Sequence, residues 1–101
     1  MRIPMIDRIG ANSGCRFVAT PGHLSAEASD ELVVLQRGSG VYFGLNSVGK
    51  RIWELIQSPI GFSDLVSRVT EEFDVSTSVV ETDVEDLLGN LITQGLARRL
   101  P

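Results

Sequence analysis

The side chains able to do chemistry are few. His23 is the single histidine and Cys15 the single cysteine of the 101 residues. Acid–base work needs a histidine with a partner that orients it. His23 stands alone among strand-forming residues in HLSAEA and reads as a surface or packing residue. Cys15 has Arg16 beside it but no nearby histidine to hold a thiolate, so it reads as an ordinary thiol. One thiol and one imidazole do not supply a zinc site. Glu81, Asp83, Glu85 and Asp86 crowd one stretch, and such carboxylate groupings can serve proton transfer or metal binding. Here they read instead as the solvated side and first half of a helix. Gly38-Ser39-Gly40 is too short to cradle a phosphate, and no Lys-Ser/Thr follows it. The residues therefore assign no catalytic group, no metal ligand and no cofactor.

What the chain offers in place of chemistry is surface, and the elements that build it can be read in order. Residues 1–20 carry Pro4, Gly10, Asn12, Ser13 and Gly14 with no clear period. They are expected to form a loosely packed N-terminal arm, with Phe17 and Val18 pinning its end. HLSAEA (23–28) alternates as a strand, and Ser29-Asp30 supplies a turn. Glu31–Gln36 is a stronger strand because Leu32, Val33, Val34 and Leu35 run without a break. Arg37-Gly38-Ser39-Gly40 is hairpin-turn chemistry, and Val41–Leu45 returns as the third strand of an antiparallel meander.

Asn46 then caps a helix bearing Val48, Ile52, Leu55 and Ile56 at helical spacing, with Gly49 placed for close packing. Ser58-Pro59-Ile60-Gly61 stops it. Ser63 is expected to cap a second helix, Asp64 to about Phe73, and Ser76 a third, Thr77 to about Gln94, with Gly95 as the residue past its end. Leu96–Leu100 reads as a short tail strand or an irregular end. The expected fold is α+β: a three-stranded antiparallel meander followed by three helices, winged-helix-like. One domain is expected, spanning 21–101 after the arm.

Charge narrows the partners. Acidic residues number 13 against 9 basic ones, a net charge of -4, which disfavours nucleic acid and anionic membranes. A DNA-reading helix carries Lys or Arg; Thr77–Gln94 carries none and has four acids. No apolar run reaches the ~20 residues of a membrane span, MRIPMIDRIG lacks a signal-peptide core, and a lone cysteine suits a reducing compartment. The expectation is a cytoplasmic protein with neither a nucleic acid nor a membrane as partner. Val41, Tyr42, Phe43, Gly44 and Leu45 form a short apolar strand; at a sheet edge its free backbone groups would accept a guest strand. Two readings stand beside that one: a winged-helix DNA-binding regulator, and an assembly module whose strand edge pairs with a second copy to make a homodimer.

Three runs of the sequence resemble PqqD-like proteins: VYFGLNSVGKRIWELI, with a strand ending in Leu-Asn before a helix holding Ile-Trp-x-Leu; FSDLVSRVTEEFDV; and DVEDLLGNLITQGLARR. Their order and spacing cover about residues 22–100. The resemblance implies a non-catalytic recognition domain that binds the leader segment of a ribosomally made precursor peptide and presents it to a modifying enzyme. That enzyme is a radical-SAM enzyme in pyrroloquinoline quinone synthesis or a leader protease in lasso-peptide synthesis. It also implies that the leader adds as a strand beside Val41–Leu45, in a groove lined by the third helix. On this chain the groove side of that helix would be Val79, Asp83, Asp86, Leu87 and Asn90, which share one face.

Overall fold

A computed structural model of the chain describes residues 15–28 and 31–100. Two small antiparallel sheets and three helices enclose one core. The first sheet is the expected meander: β2 (His23–Ala28), β3 (Glu31–Gln36) and β4 (Tyr42–Leu45), in the order β2-β3-β4. Register follows the alternation. Leu32 pairs with Leu45 and Val34 with Phe43; Leu32, Val34 and Leu45 are buried, while Val33 and Leu35 face the other side and are half-buried. The turn Arg37–Gly40 closes through Gly40 N–H donating to Gln36 O at 2.9 Å. The Ser29-Asp30 turn lies outside the described residues.

The second sheet departs from the expected arm. Its strands are β1 (Arg16–Ala19), β5 (Ile60–Gly61) and β6 (Ala97–Leu100), in the order β5-β1-β6. Residues 16–19 are thus a central strand rather than part of a loose arm, and Phe17 is among the most buried side chains of the core. Four residues with one inward aromatic are too short to show a period, and their partners lie some forty and eighty positions away. The arm expected over residues 1–14 lies outside the described residues. Arg98 and Arg99 charge the edge strand β6, a device that keeps a free edge from recruiting strands.

The helices are α1 (Ser47–Leu55), α2 (Phe62–Phe73) and α3 (Thr77–Thr93). Asn46 caps α1 as expected, its side chain accepting from Gly49 N–H at 2.9 Å. The second helix begins earlier than Ser63 predicts. Gly61 is its N-cap and makes no side-chain capping bond, because β5 already holds the backbone there. Ser76 sits at the N-cap of α3, also without a side-chain bond. Gly95 follows α3 at φ +75°, a left-handed conformation that costs glycine little. Ile52, Ile56, Leu65, Val69, Val84 and Leu91 knit the three helices to the meander. Glu85, expected on the solvated side, is buried, because it shares the arc of Leu88 and Ile92 rather than that of Asp83 and Asp86. Among the described residues no helix is long and apolar enough to cross a membrane.

Two surface clamps tie α1 to its neighbours. Lys50 reaches Glu27 of β2 at 2.9 Å, and Arg51 meets Glu72 of α2 through two guanidinium nitrogens, at 2.7 and 3.1 Å. The hydrogen bonds from Arg51 hold the Glu72 carboxyl below the usual carboxylate range. A lowered folded-state value means this clamp stabilises the fold above the unfolded carboxylate range and is lost as pH falls through the folded value. Glu72→Gln should therefore lower stability slightly at neutral pH, leave the most acidic region unmoved, and so flatten the fall in stability below about pH 4.5, as followed by urea melts across pH.

Candidate functional site

Since β4 pairs only with β3, its other side is a free edge among the described residues. Gln36 N–H donates to Val41 O at 2.9 Å. The two-residue alternation of an antiparallel ladder then turns the backbone groups of Val41, Phe43 and Leu45 toward β3. Those of Tyr42 and Gly44 point outward, so two N–H and two C=O groups are presented to whatever lies alongside. The strand is kept in place by its ends, with the hairpin turn at one and the Asn46 cap at the other.

Beside that edge lies an open pocket of about 370 Å³. Gly44, Leu45 and Asn46 form one wall, Val48, Gly49 and Ile52 of α1 the floor, and Asp83, Asp86, Leu87 and Asn90 of α3 the opposite wall. The α3 residues fall at positions i, i+3, i+4 and i+7, one stripe of the helix. Gly49 sets the depth of this corner. A Cβ there would stand 3.2 Å from Leu45 Cβ, so glycine lets the first turn of α1 close onto the end of β4.

Of the residues singled out from sequence, the fold brings together Gly44, Leu45, Asp83, Asp86, Leu87 and Asn90 around this pocket. Four stand elsewhere. Val41 precedes β4 and is exposed; Tyr42 is 68% exposed on the outward face of the meander. Phe43 is half-buried and packs against the core. Val79 is exposed in the first turn of α3, short of the pocket. Asn46, Val48, Gly49 and Ile52 were missed, since apolar spacing marked α1 only as core. The signal was the Asn46 cap directly after the strand, which forces the start of α1 to sit where the strand ends.

Among the described residues His23 has no acidic partner. Its ring meets Trp53 edge-on, centroids 4.8 Å apart, and its Nδ1 is buried without a hydrogen bond among the described residues. A shallower hollow of about 300 Å³ lies beside that pair, on the β2 side of α1.

Residues 31–97 match the family described as coenzyme PQQ synthesis protein D (PqqD). The chain belongs to the PqqD family. Two solved structures are similar to this PqqD-family protein. One is TbiB1 in complex with the TbiA(beta) leader peptide, with 33% sequence identity and a TM-score of 0.70, the match covering 80% of this chain and 94% of that one. The other is lasso peptide synthetase B1 complexed with the leader peptide, at 26% identity and a TM-score of 0.69, covering 81% and 96%. No curated protein sequence matches the chain. The matched PqqD region runs from the start of β3 to the start of β6 and so contains every wall of the pocket. The α+β fold of the PqqD-family chain agrees with that expected from the sequence, with the second sheet added.

Proposed function

We propose that this PqqD-family protein is a non-catalytic recognition protein that holds the leader segment of a ribosomally made precursor peptide and presents it to a modifying enzyme. The leader adds as a strand to the free edge of β4 and lays alternate side chains into the pocket between β4, α1 and α3. The observation that carries this reading is the juxtaposition of outward backbone groups at Tyr42 and Gly44 with that pocket. The two similar structures, both complexes with leader peptides, support it. They also favour a leader protease of lasso-peptide synthesis over a radical-SAM enzyme as the enzyme served. The binding unit is residues 21–101 together with β1.

Magnitudes say how the site must work. Four backbone hydrogen bonds at about 1 kcal/mol each give only a few kcal/mol, whereas micromolar affinity needs about 8 kcal/mol. Side chains entering the pocket have to supply the difference, at roughly 1.5–3 kcal/mol for each large apolar group buried, less the cost of ordering the peptide. Two copies pairing through their β4 edges would use the same backbone groups, so a homodimer of that kind would compete with the leader.

The test is titration with synthetic leader segments from the short reading frames beside the gene, followed by fluorescence anisotropy. Wild-type protein should bind one of them in the micromolar range or tighter. Leu87→Asp, which puts a charge on the apolar part of the α3 wall, should weaken it at least about tenfold. Glu71→Ala on the exposed side of α2 should leave it unchanged. Absence of binding at high micromolar concentration, or equal effects of the two substitutions in folded protein, would overturn the reading.

A further inference from the structure

The pocket wall contributed by α3 is acidic, and among the described residues no basic side chain lines the pocket to answer it. Asp83 and Asp86 bring two formal negative charges and stand one turn apart, next to Leu87. Among the described residues neither has an ion-pair or hydrogen-bond partner. The cations among the described residues are engaged or stand on elements outside the pocket lining. Lys50 reaches Glu27, and Arg51 reaches Glu72 and Glu54. Arg16, Arg98 and Arg99 ride on the strands of the second sheet, Arg37 on the hairpin turn after β3 and Arg68 on α2. Among the described residues the positive contribution beside the pocket is the N-terminal turn of α1, worth about half an elementary charge and partly satisfied by the Asn46 cap. Two full charges outweigh it, so the pocket field is negative.

Resting on the leader-binding reading, we propose that the segment seated in this pocket carries a lysine or arginine whose charged end lies between Asp83 and Asp86. The pocket thereby selects basic over acidic leader sequences. The chemistry fits the stripe. A long basic side chain has an apolar stem and a charged head; Leu87 receives the stem, and the carboxylates of Asp83, one turn toward the helix start, and of Asp86 beside it receive the head. An acidic residue at that place would meet two like charges, which makes the wall a device against wrong sequences as much as for right ones. Each exposed pair is weak, and two of them around one cation in a partly enclosed corner amount to about a tenfold effect on Kd. The effect fades as salt shortens the screening length from about 8 Å at physiological ionic strength to about 3 Å at 1 M.

The experiment titrates the synthetic leader segment of the short reading frame beside the gene, together with versions in which each Lys or Arg is replaced by Gln. Wild type, the double variant Asp83→Asn/Asp86→Asn, and Gly44→Pro are compared at low and high salt, with circular dichroism to verify folding. The expected result has three parts. The double Asn variant binds about tenfold more weakly, it loses most of the salt dependence, and it no longer distinguishes the peptide from one particular Lys/Arg→Gln version. Unchanged affinity and salt dependence in the double variant would overturn the proposal, as would a binding leader with no basic residue whose removal matters. If Gly44→Pro abolishes binding while the Asp substitutions do nothing, only the basic-residue inference fails. If no leader binds, or Gly44→Pro binds like wild type, the leader-binding reading fails and this inference falls with it.

Discussion

Gly44→Pro should abolish leader binding while leaving the domain folded. The two halves of this result come from the same strand geometry. Just before β4 the Val41 C=O accepts from Gln36 N–H, and the alternation that follows turns Phe43 and Leu45 toward β3, so the N–H of Gly44 points to the free edge. Proline removes that donor without removing one from the β3–β4 ladder, and edge strands are where sheets tolerate proline. Nothing lies within 4 Å of a Cβ placed at Gly44, so a side chain can start there without a clash in the unliganded protein. A guest strand meets it differently. It loses one of four backbone bonds, about 1 kcal/mol, and its own backbone cannot approach past the proline ring. A strand held off at one position cannot keep register with the pocket, so the side-chain contribution goes as well. Kd should rise by at least about thirtyfold, roughly 2 kcal/mol, while the thermal midpoint moves by no more than a few degrees. Gly44→Ala is the companion measurement. It keeps the N–H, adds only a methyl on the outward face, and should bind within a few-fold of wild type. Retained affinity in Gly44→Pro would place the leader somewhere other than this edge.

How much of this was legible in the sequence depends on the range of the interaction concerned. The meander and the three helices follow from local patterns: the unbroken Leu32–Leu35 run, the glycine-rich turn, the Asn46 cap and the 3.6-residue spacing of the helical apolar stripes. The α3 stripe of Asp83, Asp86, Leu87 and Asn90 is likewise a local pattern, and those residues do line the pocket. Val79 lies off the pocket for a local reason too. It extends the same stripe by one turn, but β4 is only four residues long, and the pocket ends before the first turn of α3 is reached. Tyr42 and Phe43 show the limit of naming a whole strand as a site. Their side chains leave opposite faces of the sheet, one to solvent and one to the core, and the edge they share is made of backbone. Of the second sheet only the tail strand, one of two readings for Leu96–Leu100, was legible, because nothing local specifies the rest. Arg16–Ala19 becomes a strand only once Ile60–Gly61 and Ala97–Leu100 arrive on either side of it. The early start of α2 has the same origin: a backbone held by β5 needs no serine cap.

Phe17→Ala should cost the fold about 3–5 kcal/mol, the range for emptying an aromatic site in a core. For a domain of this size that is a large share of a total stability of roughly 5–15 kcal/mol, and the thermal midpoint should fall by more than about 12 °C. The ring is 1% exposed, on the inward face of β1, and the Arg99 guanidinium lies 5.7 Å from its centroid. The consequence extends beyond the second sheet because of what the end of β1 holds. Ala19 N–H donates to Ile56 O at 2.8 Å, at the end of α1, and Thr20 N–H donates to Leu96 O at 2.9 Å, just past α3. Thr20 Oγ1 also donates to Gly95 O. This strand therefore fixes the far ends of the two helices whose near parts form the floor and wall of the pocket. Val18→Ala, on the opposite face of the same strand and half-buried, should cost less than about 1 kcal/mol. Phe17 does not line the pocket, so Phe17→Ala should weaken apparent binding only by its unfolded fraction, and saturating leader should raise its midpoint toward the unliganded wild-type value. A measured cost below 1 kcal/mol would mean that β1 is an accessory to the domain. A midpoint that recovers with leader would show that the groove of the folded variant is intact and that Phe17 contributes to the fold without touching the peptide.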